Sequence, residues 1–167
     1  MSARRTSTVR IAAFVAAVVA CAPAARTTET NRAAANASID SLNARLSDAY
    51  RRRDTAAYAA LYTDTAVFEW PAIDPVRGPT ALASMARDIW APERDVELRL
   101  AVTTRRLASD HATEFGAFEQ EWSDSGGVRR TEFGRYATYF VRRPDGAWRI
   151  DRWLGFEDST KVVGAKP

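Results

Sequence analysis

The sequence predicts an α+β fold, a strongly curved antiparallel sheet of long strands wrapped round N-terminal helices. Apolar residues recur at helical spacing up to Trp90, and from Asp95 onward they alternate with polar ones instead. The alternating stretches are long, about 13 to 16 residues where about 5 or 6 is usual. Helices segregated ahead of a meander of strands are the pattern of an α+β domain. Strands of that length twist and coil around whatever covers them. Here the helices supply the cover, so the expected shape is a cone with space at its wide end.

The first helix is expected over Ser38 to Arg53. Ile39, Leu42, Leu46 and Tyr50 form its apolar stripe, and Asp40, Arg45, Asp48, Arg51 and Arg52 lie largely off it. Ser38 is placed to cap its N-terminus, and Arg51-Arg52-Arg53 suits the negative end of its dipole. A short second helix follows, with Tyr58, Leu61 and Tyr62 on one face. Thr63-Asp64-Thr65 reads as a hairpin-like turn into a short strand, Ala66-Val67-Phe68. Pro71, Pro75 and Gly78-Pro79 break the chain, and Pro79 opens a third helix that runs to Trp90. Leu82, Met85, Ala86 and Ile89 form that helix's apolar face, and Pro92 stops it. Four strands are then expected: from Asp95 (Val96, Leu98, Leu100 and Val102 on one face), His111 to Ser123, Val128 to Arg143, and Ala147 to Glu157. Asp124 to Gly127 and Pro144-Asp145-Gly146 are the turns between the last three.

The N-terminus reads as an address rather than as fold. Arg4, Arg5 and Arg10 precede the apolar run Ile11 to Ala20, which is signal-peptide length and short of the roughly 20 residues that span a bilayer. Val18-Val19-Ala20-Cys21 resembles a bacterial lipobox, which implies cleavage before Cys21 and lipid attachment to it. An ordinary secretory signal cut after Ala24 or Ala25 is the alternative. The expected organisation is a signal peptide (1–20), a flexible tether with lipidated Cys21 (21–37), one domain (38–160) and a tail (161–167). The expected location is the cell envelope, lipid-anchored, in the outer membrane where the host has one; otherwise the protein is periplasmic or secreted. Without its three arginines the N-terminal segment leaves 21 basic residues against 21 acidic ones. That balance gives a nucleic-acid partner no electrostatic support. With one cysteine and one histidine, no intrachain disulfide and no metal site is read, and no cofactor is implied.

Asp54 and Tyr58 before Leu61-Tyr62-Thr63-Asp64, Ala66-Val67-Phe68, and Val76-Arg77-Gly78 resemble the nuclear transport factor 2-like superfamily in its SnoaL-like, ketosteroid isomerase-like branch. Gly134-Arg135-Tyr136, Asp145 to Ile150 and Trp153 extend the resemblance through the C-terminal half. It implies the cone fold and, often, a homodimer through the outer sheet face. The fold hosts many chemistries and pure binding domains, so it does not imply a reaction. In ketosteroid isomerases an Asp before a Pro is the base; here Trp70 precedes Pro71. Leu46 stands for the phenol that polarises the ketone, and Thr138 or Tyr139 for the protonated Asp. An indole cannot take a proton and a leucine cannot polarise a carbonyl. Dehydratase-like sites of the fold need histidine, and His111 stands alone at a strand start. Epoxide hydrolase-like sites need an Asp-Arg-Asp set, of which Asp151 and Arg135 supply two.

Strand parity places the remaining candidates. Phe118 and Trp122 share a face with Glu114, Gly116 and Gln120, opposite Glu119 and Glu121. On the next strand both faces are mixed, and only the resemblance turns Tyr136 inward. Trp153 is out of phase with Ile150, which implies a bulge near Asp151. The expected ligand pocket is therefore Trp70, Phe118, Tyr136 and Trp153, with Glu114 and Gln120 as orienting polar groups. The leading expectation is a domain that binds a small apolar or aromatic molecule without identifiable catalytic machinery. An isomerase, dehydratase or cyclase using Glu114 or Glu132 as a buried base is the alternative, and a dimerising interaction module with a filled cone is the third.

Overall fold

The computed structural model describes residues 22–71 and 73–165, so the expected signal peptide (1–20) and Cys21 lie outside the described residues. Three helices, α1 (Ala22–Arg52), α2 (Thr55–Ala59) and α3 (Gly78–Trp90), lie against a six-stranded sheet. Its strands are β1 (Tyr62–Glu69), β2 (Val76–Arg77), β3 (Arg94–Leu107), β4 (His111–Ser123), β5 (Val128–Arg142) and β6 (Trp148–Ala165), in the order β2-β1-β6-β5-β4-β3. β3 to β6 form the antiparallel meander that the alternation predicts. β1 lies parallel to β6 and carries β2 at the edge. The sheet curves without closing.

The core follows from the two periodicities. Ile39, Leu42, Leu46 and Ala49 of α1, with Leu82 and Ala86 of α3, are buried in one cluster with Ala112 and Phe118 of β4 and Tyr136 and Phe140 of β5. The end of α1 is fixed by a Schellman arrangement: Arg53 has φ +52°, its N–H donates to Tyr50 O (2.9 Å), and Asp54 N–H donates to Ala49 O (2.9 Å). An arginine in this left-handed conformation is strained. It is held there by its own guanidinium, which donates to the carbonyls of Trp90 (3.4 Å) and Glu93 (2.8 Å) at the far end of α3. Asp54 then caps α2, its Oδ1 accepting from Ala57 N at 2.9 Å. These joints set the helices at a fixed angle over the sheet, which leaves the wide end of the cone uncovered.

Several local expectations are corrected. The helix expected from Ser38 begins at Ala22, so the segment read as a flexible tether is helical. Alanines at 24, 25, 33, 34, 35 and 37 are the strongest of helix formers, and Pro23 sits in the first turn where it costs nothing. Ser38 caps nothing; its hydroxyl donates to Ala34 O within the helix. Thr63-Asp64-Thr65 is part of β1, the expected turn being an irregularity in its pairing with β6. Ile89 is exposed, and Trp90 takes the core position instead. Residues 161–165, expected as tail, continue β6 opposite Val128 to Thr131. The bulge expected near Asp151 is present: Phe140 pairs with Ile150 and Tyr139 with Arg152, leaving Asp151 as the extra residue.

Candidate functional site

The even-numbered side chains of β4 and β5 face the helices, and beyond the bulge Trp153 and Gly155 of β6 join them. Three glycines on this face let large rings lie flat on the sheet. A Cβ at Gly116 would stand 2.6 Å from the Tyr136 ring, one at Gly134 2.4 Å from Phe118, and one at Gly155 2.2 Å from Trp70. Each ring covers a glycine of the neighbouring strand, so the inner surface is smooth and aromatic. Tyr136 also stacks on Trp153, with centroids 4.8 Å apart and planes 6° from parallel. Trp70 stacks on Phe68 and tilts against Phe118.

The wide end of the cone holds a cavity of about 300 Å³. Trp70, Phe118, Gln120 and Trp153, four of the six residues proposed from the sequence, line it together. Tyr50, Tyr58 and Trp90 close the helical side, their rings meeting edge to face. Trp122, Glu93, Glu132 and Glu157 complete the wall.

Glu114 and Tyr136 are placed differently from the expectation. They lie deeper than the cavity, and both oxygens of the fully buried Glu114 are occupied. Oε1 accepts from Asn43 Nδ2 and Tyr136 Oη, each at 2.8 Å. Oε2 accepts from Arg105 Nε at 2.6 Å and Nη2 at 2.5 Å. Arg105 donates further to Asp40 Oδ1 (2.7 Å) and to Asn36. A carboxylate so enclosed braces α1 against the sheet and has no free lone pair for a ligand. Burial, and then the charge of Glu114, push the Tyr136 phenol pKa up, so this group stays a donor to Glu114.

The free carboxyl groups are elsewhere. Glu93 is 9% exposed, and its Oε2 accepts no hydrogen bond; Oε1 of Glu132 is likewise buried and unbonded. Burial pushes the Glu93 carboxyl up to about 7, against the opposing pull of Arg53. Burial, with the charges of Glu157 and Glu93 added, pushes Glu132 up to about 7 as well. Both pKa values lie above those of the unfolded chain, so between about pH 4.5 and 7 the folded state holds more protons. Stability should therefore be highest below that window and fall as pH rises through it. Chemical denaturation at about pH 5 and about pH 8 checks this. Glu132→Gln is expected to flatten the profile by on the order of 1 kcal/mol, allowing for water at the cavity mouth.

Glu93 escaped the sequence reading because alternation counted back from Val96 points it outward. Asp95 has φ +52°, and the β3–β4 pairing slips between Arg94 and Glu97, which turns Glu93 inward. The other catalytic sets weighed do not assemble. Arg135 is exposed and paired with Asp158, while Asp151 accepts from Thr63 and Thr65. His111 is exposed beside Asp110 and Tyr139. Glu119 points outward and binds Arg99 at 2.7 Å. Leu46 is buried in the core, and Thr138 is buried with its hydroxyl unbonded. No group of three acidic, histidine or cysteine residues among the described residues could hold a metal ion.

Residues 31–154 match the family model of a SnoaL-like domain. Solved structures agree on the fold. The hexachlorocyclohexane dehydrochlorinase LinA-type3 from Novosphingobium barchaimii is 18% identical and superposes with a TM-score of 0.71, over 83% of this chain and 99% of that one. A ketosteroid isomerase-like protein from Erwinia carotovora atroseptica is 21% identical, with a TM-score of 0.63 over 74% of this chain and 95% of its own. An NTF2-like protein with a cystatin-like fold from Novosphingobium aromaticivorans is 18% identical, with a TM-score of 0.72 over 83% and 92%. No functionally curated protein matches the chain.

Proposed function

This chain belongs to the SnoaL-like domain family, and from that premise we propose that it binds one small apolar or aromatic molecule in the ring-lined cavity. The observation that carries the proposal is the cavity itself, about 300 Å³ walled by Trp70, Trp90, Phe118 and Trp153. That volume is at the lower end of small-molecule sites, roughly 300–1,000 Å³. Burying about 200 Å² of apolar ligand surface at roughly 25 cal/mol/Å² contributes about 5 kcal/mol before the entropic costs of association. Micromolar affinity then draws on polar contacts as well, and Gln120 and the free carboxyl groups are placed to make them. N-phenyl-1-naphthylamine, a neutral fluorescent probe, should quench the tryptophans saturably at one site per chain. A linear, unsaturable response removes the proposal.

The protein works, on this reading, in the cell envelope, held by lipid on Cys21. No helix among the described residues is long and apolar enough to cross a membrane. Intact-mass measurement of envelope-expressed protein should show acylated Cys21, with Cys21→Ala as control. A mature chain that begins several residues later contradicts it. Phe115, Tyr139 and Phe156 are exposed on the outer sheet face and support self-association there.

A second reading is favoured by one observation, the buried and unbonded carboxyl oxygens of Glu93 and Glu132 in the cavity wall, where burial pushes both pKa values up to about 7. Such groups exchange protons at neutral pH, as a general base must. Neighbours of this fold include proteins named as a dehydrochlorinase and as ketosteroid isomerase-like. In this chain Glu132 would take the proton, since Trp70 and Leu46 occupy the positions of the isomerase base and phenol. Turnover of any ligand found for the cavity, lost in Glu132→Gln, supports this reading over simple binding.

A further inference from the structure

Building on the binding cavity just described, we infer that its ligand is an organic cation: a protonated or quaternary amine on an aromatic or branched apolar body. The walls are unusual in their charge. Three glutamates line the space, and the other lining residues are apolar, aromatic or neutral. Arg53, the guanidinium whose charge acts on Glu93, is committed to the carbonyls of Trp90 and Glu93, and Arg94 to those of Ala91 and Glu93. An anion would therefore meet like charge, and a neutral ligand without a hydrogen-bond donor would leave Oε2 of Glu93 and Oε1 of Glu132 buried and unbonded. Leaving such oxygens unsatisfied is costly, and a cation beside them removes the cost.

The remainder of the wall selects the kind of cation. Six tryptophan and phenylalanine rings, from Phe68, Trp70, Trp90, Phe118, Trp122 and Trp153, surround the space. Aromatic rings attract large, weakly hydrated cations, and do so more strongly where water is excluded. A small inorganic ion needs clustered oxygen ligands instead. Among the described residues no three acidic groups come close enough to supply them. An alkylammonium fits both features, its charge toward the glutamates and its hydrocarbon against the rings.

A proton effect follows. The charge of Glu93 acts on Glu132; Arg53 from the end of α1, Arg94 from the start of β3, Tyr50 and Tyr58 from the helices, and Glu157 from β6 are their titratable neighbours. The tyrosines stay neutral because burial raises their pKa. A bound cation favours the ionised carboxylates, so binding should release protons to solvent near neutral pH.

The test is calorimetry with two isosteric probes, benzyltrimethylammonium and neopentylbenzene, which differ in the charge alone. At about pH 8 the cation should bind at least tenfold more tightly, and the preference should shrink as pH falls to about 5.5. The cation carries no titratable proton, so buffer-dependent heats should report proton release from the protein itself. Glu93→Gln and Glu132→Gln preserve side-chain shape, and together they should abolish the preference, with an unaltered circular dichroism spectrum verifying that the variant is folded. Equal affinity of wild-type protein for both probes overturns the inference and leaves the cavity as a neutral binding site. Tighter binding of 4-tert-butylbenzoate than of the cation overturns it too. If none of the three binds, the inference falls together with the binding reading beneath it.

Discussion

Arg105→Met is expected to destabilise the protein by about 3–5 kcal/mol, which for a chain of this size lowers the melting temperature by roughly 10 °C. Among the described residues, Arg105 is the full charge set against Glu114, the fully buried carboxylate, at 2.5–2.6 Å. Without it the carboxylate keeps its hydrogen bonds from Asn43 and Tyr136 but loses the charge that offsets its desolvation. A buried ion left alone costs far more than the intact pair contributes. The double variant Arg105→Met/Glu114→Leu should therefore recover much of the loss, since it removes both charges. Denaturant titration of wild type and the two variants measures each step. A loss below about 1 kcal/mol for Arg105→Met would show that Glu114 is solvated and that the brace between α1 and the sheet is not as described.

The second large effect is at Gly155. A Cβ there would stand 2.2 Å from Cζ3 and 2.4 Å from Cε3 of Trp70, and 3.3 Å from Nε1 of Trp153. No real Cβ is tolerated at such distances, so Gly155→Val must push the Trp70 ring away from β6. The open direction is the cavity. The variant should lose N-phenyl-1-naphthylamine binding by at least tenfold and be destabilised by about 1–3 kcal/mol through overpacking. Removing the ring as well, in Gly155→Val/Trp70→Ala, should relieve the strain and restore part of the stability. Undiminished probe binding by Gly155→Val would mean that Trp70 does not form the cavity wall.

Most of the fold was legible because its two periodicities are strong. Helical spacing in residues 39–50 and alternation over Val96, Leu98 and Leu100 survive in the structure, whereas Val102, expected on the same inner face, is exposed where the β3–β4 pairing slips; β4 shows why the rest holds. Its inward residues run Ala112, Glu114, Gly116 and Phe118, and its outward ones are charged or lie on the exposed face, so parity has one solution. On β5 it had none, because the inner face carries Glu132 while Phe133 and Tyr139 sit outside. The site was half legible for a related reason. Parity placed Glu114 on the inner face correctly but could not show its partners. Asn43 is 71 positions away, and Arg105 turns inward only because the β3–β4 pairing slips between Val102 and Thr104. A similar slip near Asp95 hid Glu93. Bulges exchange the two faces of a strand, and nothing in this alternation announces them except where, as at Asp151, apolar residues reappear out of phase.

On the proposed reading the cone is open and its aromatic end receives a ligand. Anomalous diffraction from crystals soaked in 1-bromonaphthalene tests it most directly, because bromine reports position rather than affinity. A single bromine peak between Trp70, Phe118 and Trp153, with Glu93 and Glu132 at the edge of the same space, is the expected result. Crystals in which these rings have closed on one another, with bromine only on the outer sheet face near Phe115 and Phe156, would contradict it.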